Sequence, residues 1–285
     1  MVIAISGAGG FIGKQLSAHF QSRGDIVRFI PRVTTGVGAE YIAGILSGAD
    51  VVINLAGAPI VGRWSQAYKK QLFDSRILTT RKIVEAIGML DKRPGLLISA
   101  SAIGIYSPDG KHTESKNNLA DDFLGELCCA WELEAKKAVP FTRVAITRFG
   151  IVLGKGGGAL ARMLPLFKAG LGGKIATGRQ GFSWIHITDL IMAMQFIIDN
   201  TPLSGEFNFT ASDVADNRKF TRVLAKVVNR PAFFSVPSLA LKLVFGEGSV
   251  AVSGGQFVYP EHLLNAGYLF RYPTLEGALD EICTS

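Results

Sequence analysis

The first thirteen residues constrain this chain more than any other stretch. Met1 to Ser6 is an apolar, β-branched run without charge, which predicts a buried parallel strand, and glycines at 7, 10 and 13 follow it directly. Each glycine has a separate reason to be there. Gly7 lets the chain turn sharply out of the strand, Gly10 removes a Cβ that would block close approach of a pyrophosphate, and Gly13 lets the next helix pack on the sheet. That helix, predicted from Phe11 to Arg23, would aim its free N–H groups and positive dipole end at the phosphates. The stretch reads as a dinucleotide cradle opening a doubly wound α/β fold.

The length of 285 residues accommodates such a Rossmann domain, assigned to 1–153, and a smaller mixed lobe over 154–285, with later segments returning to the sheet. Thirty Lys and Arg against 23 Asp and Glu give a net charge of +7, scattered rather than gathered in runs. That pattern suits an anionic small molecule and argues against nucleic acid as a partner. No uncharged run reaches the roughly 18 residues needed to cross a bilayer, and no basic leader precedes the first strand, so no membrane partner and a cytoplasmic location are expected. Cys128, Cys129 and Cys283 have neither disulfide-framework nor metal-ligand spacing, which fits a reducing compartment.

Ile26 to Ile30 predicts the second strand, with Pro31-Arg32 at its exit. A free ribose 2′-hydroxyl calls for Asp or Glu at this point, whereas a 2′-phosphate calls for arginine. Arg32 occupies the slot and Asp25 lies at the wrong end of the strand, so NADP (NADPH) is favoured over NAD. Residues 33–50 are short for a strand and crossover helix, and predict a vestigial strand near Glu40-Tyr41 followed by a clipped helix near Ala43 to Ser47. Asp50 to Gly57 predicts another strand whose small exit residues Leu55, Ala56 and Gly57 lie against the dinucleotide. Helices are expected over 65–90 and 121–138, and strands over 96–106 and 142–147. Beyond Gly154, glycine-rich pieces alternate with helical ones, and Asp189 is expected to cap a helix running to Asp199.

These features together resemble the extended short-chain dehydrogenase/reductase superfamily, in particular its atypical branch of nucleoside-diphosphate-sugar epimerases. The matching residues include Gly7 to Gly13, Asn54-Leu-Ala-Gly-Ala-Pro-Ile60, Arg63-Trp64, Thr79-Thr80, Ser99-Ala-Ser-Ala102, Trp131-Glu132, Gly170-Leu-Gly-Gly173 and Ser183 to His186. The resemblance implies a Rossmann domain holding NADP with the C-terminal lobe closing over a substrate, and that Gly7, Gly10, Phe11 and Ile12 meet the pyrophosphate. It also implies that Pro31 and Arg32 meet the adenosine end, and that Leu55, Ala56 and Arg76 touch the middle of the cofactor. A homodimer through the two long helices is the assembly it admits.

Superfamily members use a serine at the end of the central strand with Tyr-x-x-x-Lys on the following helix. Ser101 stands where the serine belongs, but none of the six tyrosines has lysine four residues on, and the helix reads Leu124-Gly-Glu-Leu-Cys-Cys-Ala-Trp-Glu132 instead. Tyr106, on the loop leaving the strand, is the remaining tyrosine that could turn into the crevice and move a proton. The expected function is an NADP-dependent oxidoreductase or epimerase-like enzyme acting on a hydroxyl or carbonyl of a polar metabolite such as a nucleotide sugar, with Ser101 and Tyr106 as its catalytic pair. The alternative is a catalytically weak NADPH-binding redox sensor or scaffold.

Overall fold

The fold was obtained as a computed structural model and is described for residues 1–33 and 37–284. Six parallel strands form the central sheet: β1 (Val2–Ser6), β2 (Ile26–Ile30), β3 (Val51–Asn54), β4 (Leu96–Ala102), β5 (Arg143–Phe149) and β6 (Gly205–Phe209). Their spatial order is β6-β5-β4-β3-β1-β2. The order reverses between β1 and β3, which opens a crevice at the carboxyl ends of those two strands.

The strands read as unbroken apolar runs because both faces are covered. Ile3, Ile5, Ile53 and Ile98 point toward one layer, where Leu16 and Phe20 of α1 (Phe11–Ser22) meet Leu190, Ile191 and Met194 of the later helix Ile187–Asp199. Ala4, Val52 and Leu97 point the other way, against α2 (Ala39–Leu46), α3 (Gln66–Gly88) and α4 (Phe123–Lys136). A second core holds Leu160, Phe167, Trp184, Phe220, Leu224 and Leu279. It gathers α5 (Gly158–Lys168) and α7 (Asn217–Val227) with the C-terminal helix Leu275–Thr284, whereas α6 (Ile187–Asp199) belongs to the first layer and α8 (Ser238–Phe245) buries no residue.

Two local expectations are corrected. Glu40 and Tyr41 lie within α2, and no third strand forms there among the described residues; Ile42 and Leu46 are fully buried, so burying one apolar helical stripe outweighs extending the segment. The cap of α6 is His186 rather than Asp189: its Nδ1 accepts from the Thr188 N–H at 3.2 Å. Asp189 is fully buried inside the first turn, where its carboxylate accepts from Arg271 N at 2.7 Å and Tyr272 N at 2.9 Å, and so pins the C-terminal segment onto the sheet domain.

Candidate active site

The loop after β1 is built around its glycines. Gly7 has φ +73°, and a Cβ there would stand 2.8 Å from the Leu55 carbonyl carbon; Gly10 N donates to Gly7 O at 3.0 Å, closing the turn. A Cβ on Gly13 would come within 2.3 Å of Gly7 O, so the helix can lie this close to the loop only with glycine there. At Gly10 the corresponding contact is 3.3 Å, and the rest of the space opens outward. The N-cap of α1 is Gly10, which offers no side-chain acceptor to the first-turn N–H groups. They face a cavity of about 1090 Å³ that runs from the loop to the ends of β2 and β3 and along α3.

Of the residues expected at a cofactor, Gly7, Gly10, Pro31, Arg32, Ala56 and Gly57 line this cavity. Phe11, Ile12 and Leu55 pack behind it against the core. The Phe11 ring rests on the 154–158 segment, where a Cβ on Gly157 would sit 2.1 Å from it, so that glycine run serves as the seat for an aromatic ring. Lys14, Gln21 and Lys70 also line the cavity and escaped the sequence reading. Lys14 and Gln21 were findable, because residues four and eleven beyond Gly10 fall on the helix face that continues the loop. Lys14, Arg32 and Lys70 share the cavity lining with a single carboxylate, Asp74, which is paired with Lys70 one helical turn away. Asp25, the acid nearest β2, binds the N-terminal ammonium at 2.9 Å at the opposite end of the strand.

Arg76 lies beneath the loop that follows β3. Its guanidinium donates to Leu72 O at 3.1 Å and Ala58 O at 3.0 Å, sits 5.2 Å from the Trp131 ring, and would stand 2.9 Å from a Cβ on Gly57. Burial lowers its pKa, and no carboxylate pairs with it among the described residues. The same loop is held by Asn54, which accepts from Ser6 Oγ at 2.6 Å and donates to Thr80 Oγ1 at 2.8 Å, while Trp131 Nε1 donates to that hydroxyl at 3.0 Å.

Ser101 and Tyr106 meet in a buried chain of hydrogen bonds. Ser101 Oγ donates to Glu132 Oε1 at 2.7 Å, and Arg148 grips the same carboxylate through Nε at 2.8 Å and Nη2 at 2.7 Å. Arg148 Nη1 donates to the Tyr106 hydroxyl at 2.7 Å, and that hydroxyl donates to Asn208 Oδ1 at 2.8 Å. Tyr106 was expected to turn into the crevice; instead it is fully buried, stacked on His112 at 5.1 Å. The reason is Arg148, whose fork needs one more acceptor once Glu132 is satisfied. Burial raises the Tyr106 phenol above its ordinary range, and the Glu132 carboxylate holds the Arg148 guanidinium firmly protonated. Glu132 lies four residues after Cys128, whose thiol burial pushes up to about 12.

A family model described as the NAD dependent epimerase/dehydratase family matches residues 3–209, and a domain of unknown function (DUF1731) matches 236–282. The chain belongs to the NAD dependent epimerase/dehydratase family. Its relatives include an Arabidopsis thaliana chloroplastic homolog of epimerase family protein SDR39U1, 36% identical across 99% of this chain and 86% of that one. Another is epimerase family protein SAR0825 of Staphylococcus aureus, 37% identical across 98% and 97%. Among solved structures, human epimerase family protein SDR39U1 with NADPH superposes with a TM-score of 0.94 at 32% identity, covering 100% of both chains.

Proposed function

We propose that the cavity holds NADPH and that the protein is an NADP-dependent oxidoreductase or epimerase-like enzyme acting on a hydroxyl or carbonyl of a polar metabolite, with a nucleotide sugar as the leading substrate class. The observation that carries this reading is the glycine cradle itself, where a Cβ at Gly7 or Gly13 would strike backbone. It opens onto a cavity with Arg32 and no carboxylate at the exit of β2. The human relative solved with NADPH supports it.

The α1 N–H groups would bind the pyrophosphate and Arg32 the 2′-phosphate, with Lys14 and Lys70 adding positive potential. The bound nicotinamide supplies hydride transfer. Ser101 would hydrogen-bond the reacting oxygen: its own proton is held by Glu132, so its lone pairs can accept from a substrate hydroxyl. Arg148 keeps that carboxylate oriented. In this arrangement Glu132 and Arg148 position the Ser101 hydroxyl, which takes the place beside the reacting oxygen that the superfamily's serine holds.

The test begins with the absorbance spectrum and cofactor content of the purified protein, followed by NADPH and NADH titrations of the stripped form. Tight NADPH and weak NADH binding is expected, and binding of neither would overturn the reading. Ser101→Ala should then depress turnover strongly with NADPH affinity unchanged; unaltered turnover would remove Ser101 from the mechanism. The closed burial of Ser101 and Tyr106 favours a second reading, an NADPH sensor or scaffold without turnover. That reading requires partner capture that follows the NADPH to NADP ratio.

A further inference from the structure

Two segments of the C-terminal lobe carry cations without any acid. Residues 155–188 hold five Lys and Arg and no Asp or Glu, and residues 217–246 hold six and none. The fold places the two side by side. Phe234–Val236 pairs with Gly173–Ile175, Arg230 Nε donates to Lys168 O at 3.1 Å, and Arg218 N donates to Gly178 O at 2.9 Å. On α7 and just beyond it, Arg218, Arg222, Lys226 and Arg230 recur every four residues and are exposed, while Phe220, Val223 and Leu224 fill the opposite, buried face. None of these four cations pairs with a carboxylate among the described residues.

The same two segments expose large apolar side chains: Leu166, Leu171, Phe233, Phe234, Leu239 and Leu243, with Phe233 91% open to solvent. No residue of α8 is buried, so Leu239 and Leu243 ride on the outside of the lobe around Lys242. Protruding apolar groups and unpaired cations on the same two adjoining segments match an interface between hydrocarbon and anionic headgroups. Nucleic acid would leave the aliphatic side chains without a role. An isologous contact with a second copy would set this cationic face against itself.

We propose that this face, formed by α7, α8 and the paired strands Gly173–Ile175 and Phe234–Val236, docks the protein peripherally on an anionic lipid surface. Docking of this kind needs no spanning helix, and none of the described helices is long and apolar enough to cross a membrane.

The test is co-sedimentation of the full chain with vesicles of phosphatidylcholine alone and of phosphatidylcholine mixed with phosphatidylserine, at low and raised salt. Binding is expected to the mixed vesicles only, weakening with salt. A cation at such a surface contributes about fivefold in affinity, so R222Q should lose about that factor and the triple variant R218Q/R222Q/K226Q about a hundredfold. Phe233→Ser should lose about tenfold or more. Each variant should keep the wild-type melting temperature, since these side chains lie outside the core. Binding to neither vesicle, equal binding to both, or indifference to these substitutions overturns the proposal. So does binding to polyglutamate that matches the mixed vesicles and ignores Phe233→Ser, which would assign the face to an acidic protein.

Discussion

Replacing Glu132 by Gln tests the buried network most directly. Glu132 and Arg148 are 4% and 6% exposed and share two charge-assisted hydrogen bonds, so Glu132→Gln leaves a guanidinium buried beside a neutral amide. Breaking one partner of such a pair costs about 3–5 kcal/mol. At about 2.1 cal/mol/K per residue the unfolding entropy of 285 residues is about 0.6 kcal/mol/K, so the melting temperature should fall by about 5–8 °C. The companion variant E132L/R148M removes both charges and should recover more than half of that loss. It still strands the Ser101 hydroxyl and takes from the Tyr106 hydroxyl one of its two partners, leaving Asn208, at about 1 kcal/mol each. Calorimetry on wild type, E132L, R148M and E132L/R148M gives the coupling directly. A Glu132→Gln melting temperature within about 1 °C of wild type, or a double variant as damaged as the sum of the singles, would refute the closed ion pair.

Gly10→Ala and Gly13→Ala should separate binding from folding. The first should weaken NADPH binding with little change in denaturant midpoint. The second, whose Cβ meets backbone at 2.3 Å, should lose about 1–3 kcal/mol of stability as well as binding. Arg32→Ala should weaken NADPH about 10- to 100-fold and leave NADH unchanged in fluorescence titrations, as expected for loss of a charged hydrogen bond. Burial is the main cause of a lowered His186 pKa, so the fold favours its neutral form. Its contribution to stability is therefore full above the ordinary histidine value of about 6.5 and is lost as pH falls through the lowered folded value. A melting-temperature profile should show His186→Gln with a shallower decline below that pH than the parent; parallel profiles would exclude the histidine. With its thiol near 12, Cys128 should resist alkylation in the native protein while Cys129 and Cys283 react, and mass spectrometry should find all three modified after unfolding.

The sequence alone determined the parts governed by local rules. β1, the glycine turn, α1 and β2 follow from an apolar run, three glycines and an amphipathic stripe, and β2 spans Ile26–Ile30 as read. The placement of Arg32 at the cavity and of Ala56 and Gly57 beside it also follows, since in a parallel sheet the strand exits share one edge. The tertiary structure decided the partners of buried polar groups. Ser101, Glu132 and Arg148 come from β4, α4 and β5, and nothing in their spacing shows that one carboxylate serves both the serine and the arginine. Arg148 then captures Tyr106, which the loop sequence had left open to the crevice. The same holds for the Phe11 ring on the 154–158 glycines, for Asp189 bound to Arg271 and Tyr272 rather than capping α6, and for the basic and apolar face assembled from two distant segments. The physical reason is that a backbone conformation is set largely by its near neighbours, whereas a buried charge or ring takes whatever the packed fold brings within reach.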